Sequence, residues 1–185
     1  MRKRLLLVTG SPGVGKTTVL LKVVEALKAR GHSVGGMISR EVRSGGSRVG
    51  FEVLDLSTGI SGWLAHMDQE VGPQVGKYRV DLEDLNGIGA EAIVKAAENS
   101  DIVAVDEIGP MELFSQKFQE AVKRAVESTK IVVCIVHWRA RSRLIDEIKR
   151  REDAEVYAVN YENRENLHEL LVGKAIGYLE KTSRE

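Results

Sequence analysis

Residues Gly10-Ser11-Pro12-Gly13-Val14-Gly15-Lys16-Thr17 fit the spacing G-x-x-x-x-G-K-[ST] at every fixed position. Each fixed residue type has a chemical reason. Glycines let the backbone take positive φ and bring its N–H groups close around phosphate oxygens. A helix starting near Lys16 adds roughly half a positive charge at its N-terminus. Lys16 can reach β- and γ-phosphates, and the Thr17 hydroxyl can coordinate Mg²⁺. Four common residue types at fixed spacing arise by accident in about one chain in a hundred of this length, with glycine at ~7% usage. The location therefore matters: the motif lies between a short apolar run, Leu5 to Val8, and a helical stripe.

A second chemical signal lies downstream. The apolar run Ile102-Val103-Ala104-Val105 delivers Asp106 and Glu107 at its C-terminal end, the edge of a parallel sheet where ligands bind. Asp106 would hold Mg²⁺, directly or through water. Glu107 would polarise a water for in-line attack on the γ-phosphorus, a role typically worth ~10²–10⁴ in rate. Ile108-Gly109-Pro110 follows and gives the chain a sharp exit. The plain alternative is a strand that ends in solvated charges; a complete phosphate loop in the same chain favours the metal-side reading.

Other residues carry two readings each. Arg40 and Arg43 sit just beyond a strand, and either could neutralise transition-state charge or be an exposed turn arginine. Arg139, Arg141 and Arg143 could face phosphates, but a solvated helical face is the better reading. Asn163 is a plain N-cap, or with Arg164 it borders the base. Trp63 and Trp138 could stack on a base, although packing explains them as well. His32, His66, His137 and His168 lack metal-ligand spacing, and Cys134 reads as core.

These groups need elements to hold them. Val19, Leu20, Val23, Val24 and Leu27 form one helical stripe, closed by Gly31. Val34 to Ser39 reads as a strand. From about residue 40 to 80 glycines separate short alternating runs, and Val49 to Leu56 reads as a hairpin arm turning at Ser57-Thr58-Gly59. Helix and strand then alternate: helix Ala90–Glu98, strand Ile102–Val105, helix Glu112–Glu127, strand Ile131–Val136, helix Arg141–Arg151, strand Val156–Val159, helix Arg164–Glu180. The pattern predicts one α/β domain over residues 1–185, three-layered, with a mainly parallel sheet and an inserted antiparallel β-hairpin layer.

Composition bounds the partners. The 185 residues balance 27 basic against 27 acidic side chains, which removes the electrostatic argument for a dedicated nucleic-acid binder but leaves a local basic patch open. The longest aliphatic stretch, Ile131 to Val136, is far short of the roughly 20 residues of a membrane span. Arg2-Lys3-Arg4 and Leu5 to Val8 imitate a secretory signal, but Thr9-Gly10 ends the apolar region below the ~7–15 residues required. With a single cysteine, these features point to a cytoplasmic protein.

Gly10 to Thr18, the segment Val105 to Leu113, Arg40-Glu41-Val42-Arg43 before Val49-Gly50-Phe51, and Asn163-Arg164 together resemble one family. They are similar to the nucleoside-triphosphatases of thermophilic archaea and bacteria, whose human relative is called cancer-related nucleoside-triphosphatase. The resemblance implies a RecA-like P-loop fold and Mg²⁺-dependent hydrolysis of several nucleoside triphosphates, with ATP, GTP, CTP and UTP or TTP as substrates; the sequence leaves the oligomeric state open, with a monomer favoured. It also implies that nucleotide contacts run over residues 10–18 and 102–109, with Lys16 and Glu107 catalytic and with Thr17 and Asp106 at the metal. Two rivals remain at this point: a nucleotide or small-metabolite kinase using the same loop, and a nucleotide-gated RNA- or protein-binding switch.

Overall fold

In a computed structural model, which describes residues 3–182, the apolar runs become the inner strands of one sheet. Arg2 of the basic N-terminal triplet lies outside the described residues, as do the ends of the expected 1–185 domain. The parallel part comprises β1 (Leu5–Thr9), β2 (Val34–Ser44), β7 (Ile102–Ile108), β8 (Ile131–Val136) and β9 (Ala154–Ala158). Along β1 the side chains alternate between two faces. Leu6 and Val8 meet α1 (Lys16–Ala29) and α6 (Leu167–Thr182). Leu5 and Leu7 join the opposite core, built with α3 (Glu91–Asn99), α4 (Gln116–Glu127) and α5 (Arg143–Lys149). All six residues of β8 are buried, which is why its sequence is unbroken by polar residues.

The antiparallel stretch is present as β3 (Ser47–Asp55), β4 (Ser61–His66), β5 (Gln74–Val75) and β6 (Tyr78–Val80). It extends the same sheet edge to edge, giving nine strands in the order β5-β6-β4-β3-β2-β7-β8-β1-β9. The expected hairpin arm is β3, paired with β4 from Leu54 opposite Ser61 to Gly50 opposite His66.

β2 is longer than its sequence suggested. It pairs with β7 only from Val34 to Met37. Beyond that its one partner is β3, and the two rise past the carboxyl edge of the parallel core as a tongue. The tongue turns at Gly45-Gly46, whose φ values of 57° and 80° suit a tight hairpin. Arg40, Glu41 and Arg43 look like loop residues because a strand with water on its faces carries polar side chains.

Helix boundaries moved for local reasons. Before α3 the chain forms α2 (Leu82–Asp84) and a π-helical segment, Leu85–Ala90, which Gly87 and Gly89 disguise in the sequence. The helix expected from Glu112 is a 3₁₀ turn, Glu112–Phe114, followed by α4, whose Ser115 Oγ accepts a hydrogen bond from Phe118 N at 2.9 Å. Ser142 caps α5 in the same way, accepting from Ile145 N at 3.1 Å. α6 begins at Leu167 because Asn160 and Asn163 hold residues 160–164 in a turn. Among the described residues no helix is long and apolar enough to cross a membrane.

Candidate active site

The loop after β1 must pass close under the end of β9. At Gly10 φ is 151°, and a methyl group there would lie 2.8 Å from the Val159 carbonyl oxygen. Ser11, Pro12 and Gly13 are exposed, whereas the Val14 side chain is buried in the core and anchors the loop. α1 then starts at Lys16 with no side-chain cap, so its first N–H groups stay free for a ligand. Lys16 Nζ donates to the carbonyl oxygens of Gly10 and Ser11, both at 2.9 Å. Thr17 Oγ1 donates to Asp106 Oδ2 at 2.7 Å. The two motifs therefore meet, with β8 between their strands.

Lys16, Thr17, Thr18, Asp106 and Glu107 form the floor and one side of a cleft of about 720 Å³. The tongue forms the facing wall, with Arg40, Arg43, Arg48 and Phe51. Glu41 ties two of these arginines, lying 3.2 Å from Arg43 Nη2 and 3.0 Å from Arg48 Nη1. Arg48 also donates to the Tyr78 hydroxyl at 2.9 Å and lies over the Phe51 ring, 5.0 Å from its centroid. Arg40 has no such tether. Sequence reasoning named Arg40 and Arg43 but missed Arg48, which lies beyond the hairpin turn.

Asp106, Glu107 and Glu112 form an acidic group, with the Lys16 charge acting on the first two. Burial pushes Asp106 up to about 7; the Thr17 hydrogen bond and the Lys16 charge oppose that shift, and the Glu107 charge adds to it. Burial also raises Glu107, against the pull of His137 and Lys16. Glu112 lies well above the usual carboxylate range because it is buried and faces the charges of Glu107 and Asp106. Among the described residues no three His, Cys, Asp or Glu side chains form a metal cage. The donor set suits a cation that brings its own waters and binds substrate phosphates, which is how Mg²⁺ is held.

Several expected residues take other positions. Ile102, Val103, Ala104 and Val105 are buried in the sheet and Ile108 below its end, so their side chains position Asp106 rather than reach the cleft. Gly109 packs against the carboxyl groups of Glu107 and Glu112. The Arg139 guanidinium stacks on Trp138, 4.2 Å from the ring centroid, and exposed Arg143 pairs with Glu147 at 2.6 Å. Neither these two nor Arg141 lines the cleft in this structure. Trp63 packs against His66 with ring centroids 4.5 Å apart. Cys134 is core, its thiol pushed up to about 12 by burial.

Asn163 is not a forward cap. Its Oδ1 accepts from Asn160 N at 2.9 Å, and its Nδ2 donates to the Ala158 carbonyl at 2.8 Å, pinning the loop after β9. Arg164 leans on the phosphate loop: its Cδ would lie 3.7 Å from a methyl group on Gly15. Its guanidinium sits 5.1 Å from the centroid of the Tyr161 ring, a ring 74% exposed. Sequence reasoning passed over Tyr161, although an aromatic between the last strand and the last helix was a usable signal.

A family model described as NTPase matches residues 5–172. The chain belongs to the NTPase family. This NTPase is 48% identical over 162 residues to the nucleoside-triphosphatase THEP1 of Thermofilum pendens, covering 87% of this chain and 89% of that protein. Its fold is similar to the crystal structure of THEP1 from Aquifex aeolicus, with a TM-score of 0.80 at 29% identity over 91% of this chain and 96% of the other. The solution structure of a human cancer-related nucleoside triphosphatase is also similar, with a TM-score of 0.77 at 36% identity over 92% of this chain and 96% of the human one. The α/β architecture and the family read from the sequence are thereby borne out.

Proposed function

We propose that this NTPase cleaves the β–γ anhydride of Mg²⁺-bound nucleoside triphosphates, with little regard for the base, releasing nucleoside diphosphate and phosphate. The observation that carries the reading is the Thr17–Asp106 hydrogen bond, which places a hydroxyl and a carboxylate together beside Glu107. Thr17 and Asp106 would hold Mg²⁺, which supplies neutralisation of charge developing on the phosphate oxygens when bound. The buried carboxyl groups of Asp106 and Glu112, with half-buried Glu107 beside them, support this.

The chain's own groups divide the remaining work. The loop N–H groups and the start of α1 cradle the phosphates. Lys16 exchanges its two carbonyl partners for phosphate oxygens. Glu107, half-buried at the cleft, orients a water and accepts its proton as the water oxygen bonds to the γ-phosphorus and the bridging oxygen leaves with the diphosphate. The arginines of the tongue face that end of the substrate and favour charge there.

Base tolerance follows from the other end of the site. Tyr161 offers a ring face and Arg164 a planar guanidinium, and stacking of this kind accepts any base. ATP, GTP, CTP and UTP or TTP all fit that description. We read the protein as a monomer, and we place it in the cytoplasm on the evidence of its single buried cysteine.

Phosphate release from ATP, GTP, CTP and UTP with Mg²⁺ tests the reading, with wild type beside Lys16→Ala and Glu107→Gln. Broad release is expected, and Glu107→Gln slows it by about 10²–10⁴. Full turnover by Glu107→Gln, or release confined to one base, would overturn it.

A further inference from the structure

Glu112 has no place in the chemistry above, yet it is 3% exposed and lies in the 3₁₀ turn directly after the catalytic strand. The side-chain charges acting on it come from Glu107 and Asp106, both acids. The backbone N–H groups of Gly109 and of Glu112 itself also act on this carboxyl group, which ties it to the turn at Gly109.

Its position is specific. A methyl group on Gly109 would lie 2.8 Å from Glu107 Oε1 and 3.1 Å from Glu112 Oε2, so both carboxyl groups converge on one α-carbon. The backbone fixes that convergence: Leu113 N donates to Gly109 O at 3.0 Å, and His137 N donates to Ile108 O at 3.1 Å. Glu107 reaches the cleft from this point, whereas Glu112 stays behind it.

We propose that Glu112 is a positioning residue for Glu107, its buried carboxyl packed beside that of Glu107 on Gly109 so that the Glu107 carboxylate is held facing the γ-phosphate. The two carboxyl groups meet at Gly109, where a methyl group would lie within 3.1 Å of an oxygen of each, so the position of one limits the position of the other. Holding a base in one rotamer is what a near-attack geometry requires. The inference rests on the reading of Glu107 as the base.

The test is steady-state Mg²⁺-ATP hydrolysis by Glu112→Gln, Glu112→Leu and Gly109→Ala, with the Glu112→Leu change repeated in Glu107→Gln, each variant checked by thermal melting. Glu112→Leu should lower kcat about 10- to 100-fold with KM within about two-fold. Glu112→Gln, which keeps shape and a donor, should stay within about three-fold of wild type. In the Glu107→Gln background, Glu112→Leu should cost nothing further. Wild-type kcat in Glu112→Leu, equal losses in Glu112→Gln and Glu112→Leu, or an undiminished loss in the Glu107→Gln background would overturn the proposal. Should Glu112→Leu fail to fold, Gly109→Ala decides: its methyl pushes the pair apart and should lower kcat as Glu112→Leu would, and a folded Gly109→Ala at wild-type rate overturns the pairing. A fast Glu107→Gln would remove the base and the pairing together, whereas a slow Glu107→Gln with a fast Glu112→Leu removes the pairing alone.

Discussion

Thr17 Oγ1 donates a 2.7 Å hydrogen bond to Asp106 Oδ2, joining the first turn of α1 to the end of a strand two places away in the sheet. The direction of that bond matters. With its hydrogen committed to Asp106, the hydroxyl turns its lone pairs elsewhere, as a metal ligand must. Thr17→Val, which keeps the shape and loses the hydroxyl, should raise the Mg²⁺ concentration needed for half-maximal phosphate release by about 10- to 100-fold. A Mg²⁺ titration at saturating ATP checks this.

The same carboxylate sets a pH dependence of stability. Asp106 ionises at about 7 in the folded chain and near the ordinary aspartate value when unfolded. Between those two values the folded state binds the extra proton, so folding is favoured at low pH and that contribution is lost as pH rises towards 7. In EDTA, melting temperature should fall across that window through this group. Asp106→Asn should flatten the fall and raise the melting temperature at pH 8 while abolishing turnover. Melting curves of both proteins from pH 5 to 8 decide it.

The arginines of the tongue line the same cleft as Lys16 and Glu107, so on the proposed function their loss should separate turnover from diphosphate binding. Arg43→Ala and Arg48→Ala should each lower kcat at least about ten-fold. Affinity for ADP, which lacks that phosphate, should be unchanged. Calorimetric ADP binding beside kinetics of ATP hydrolysis makes the comparison.

Tyr161→Ala should weaken all four nucleoside triphosphates together, by about 1–3 kcal/mol of stacking, with kcat retained. A loss confined to one base, measured as KM for each substrate, would mean that the ring reads base identity.

Gly10→Ala tests the loop backbone. The methyl would meet the Val159 carbonyl oxygen at 2.8 Å in a φ region unsuited to alanine. A loss of about 1–3 kcal/mol in urea unfolding is expected, together with loss of nucleotide binding.

The phosphate loop was legible because each of its fixed positions answers to its own chemical need, and Asp106 because an apolar strand announces where it ends. Arg48, Tyr161 and Glu112 were not, for three separate reasons. Arg48 reaches the cleft only because β3 folds back along β2 and returns it there. Tyr161 follows a short edge strand with no motif to mark it. Glu112 looks like the first turn of a helix, and its meaning lies in a convergence on Gly109 that no local spacing encodes. The split at Ser115 is visible afterwards as a cap, but helical periodicity runs straight across it.

Floor and wall of the cleft belong to different mechanical parts. The floor, β1 and β7 with their loops, is clamped between two helical layers, while the wall is built on β2 beyond Met37 and on β3, which β4 holds from Gly50 to Leu54. Backbone amides from Arg40 to Arg48 should therefore exchange with solvent long before those of Leu5 to Thr9. On the proposed function, a triphosphate touching both parts would stitch the tip of the tongue to the floor, and cutting the γ-phosphate would release the stitch. Turnover and the stiffness of the tongue would then be one coupled property of the molecule.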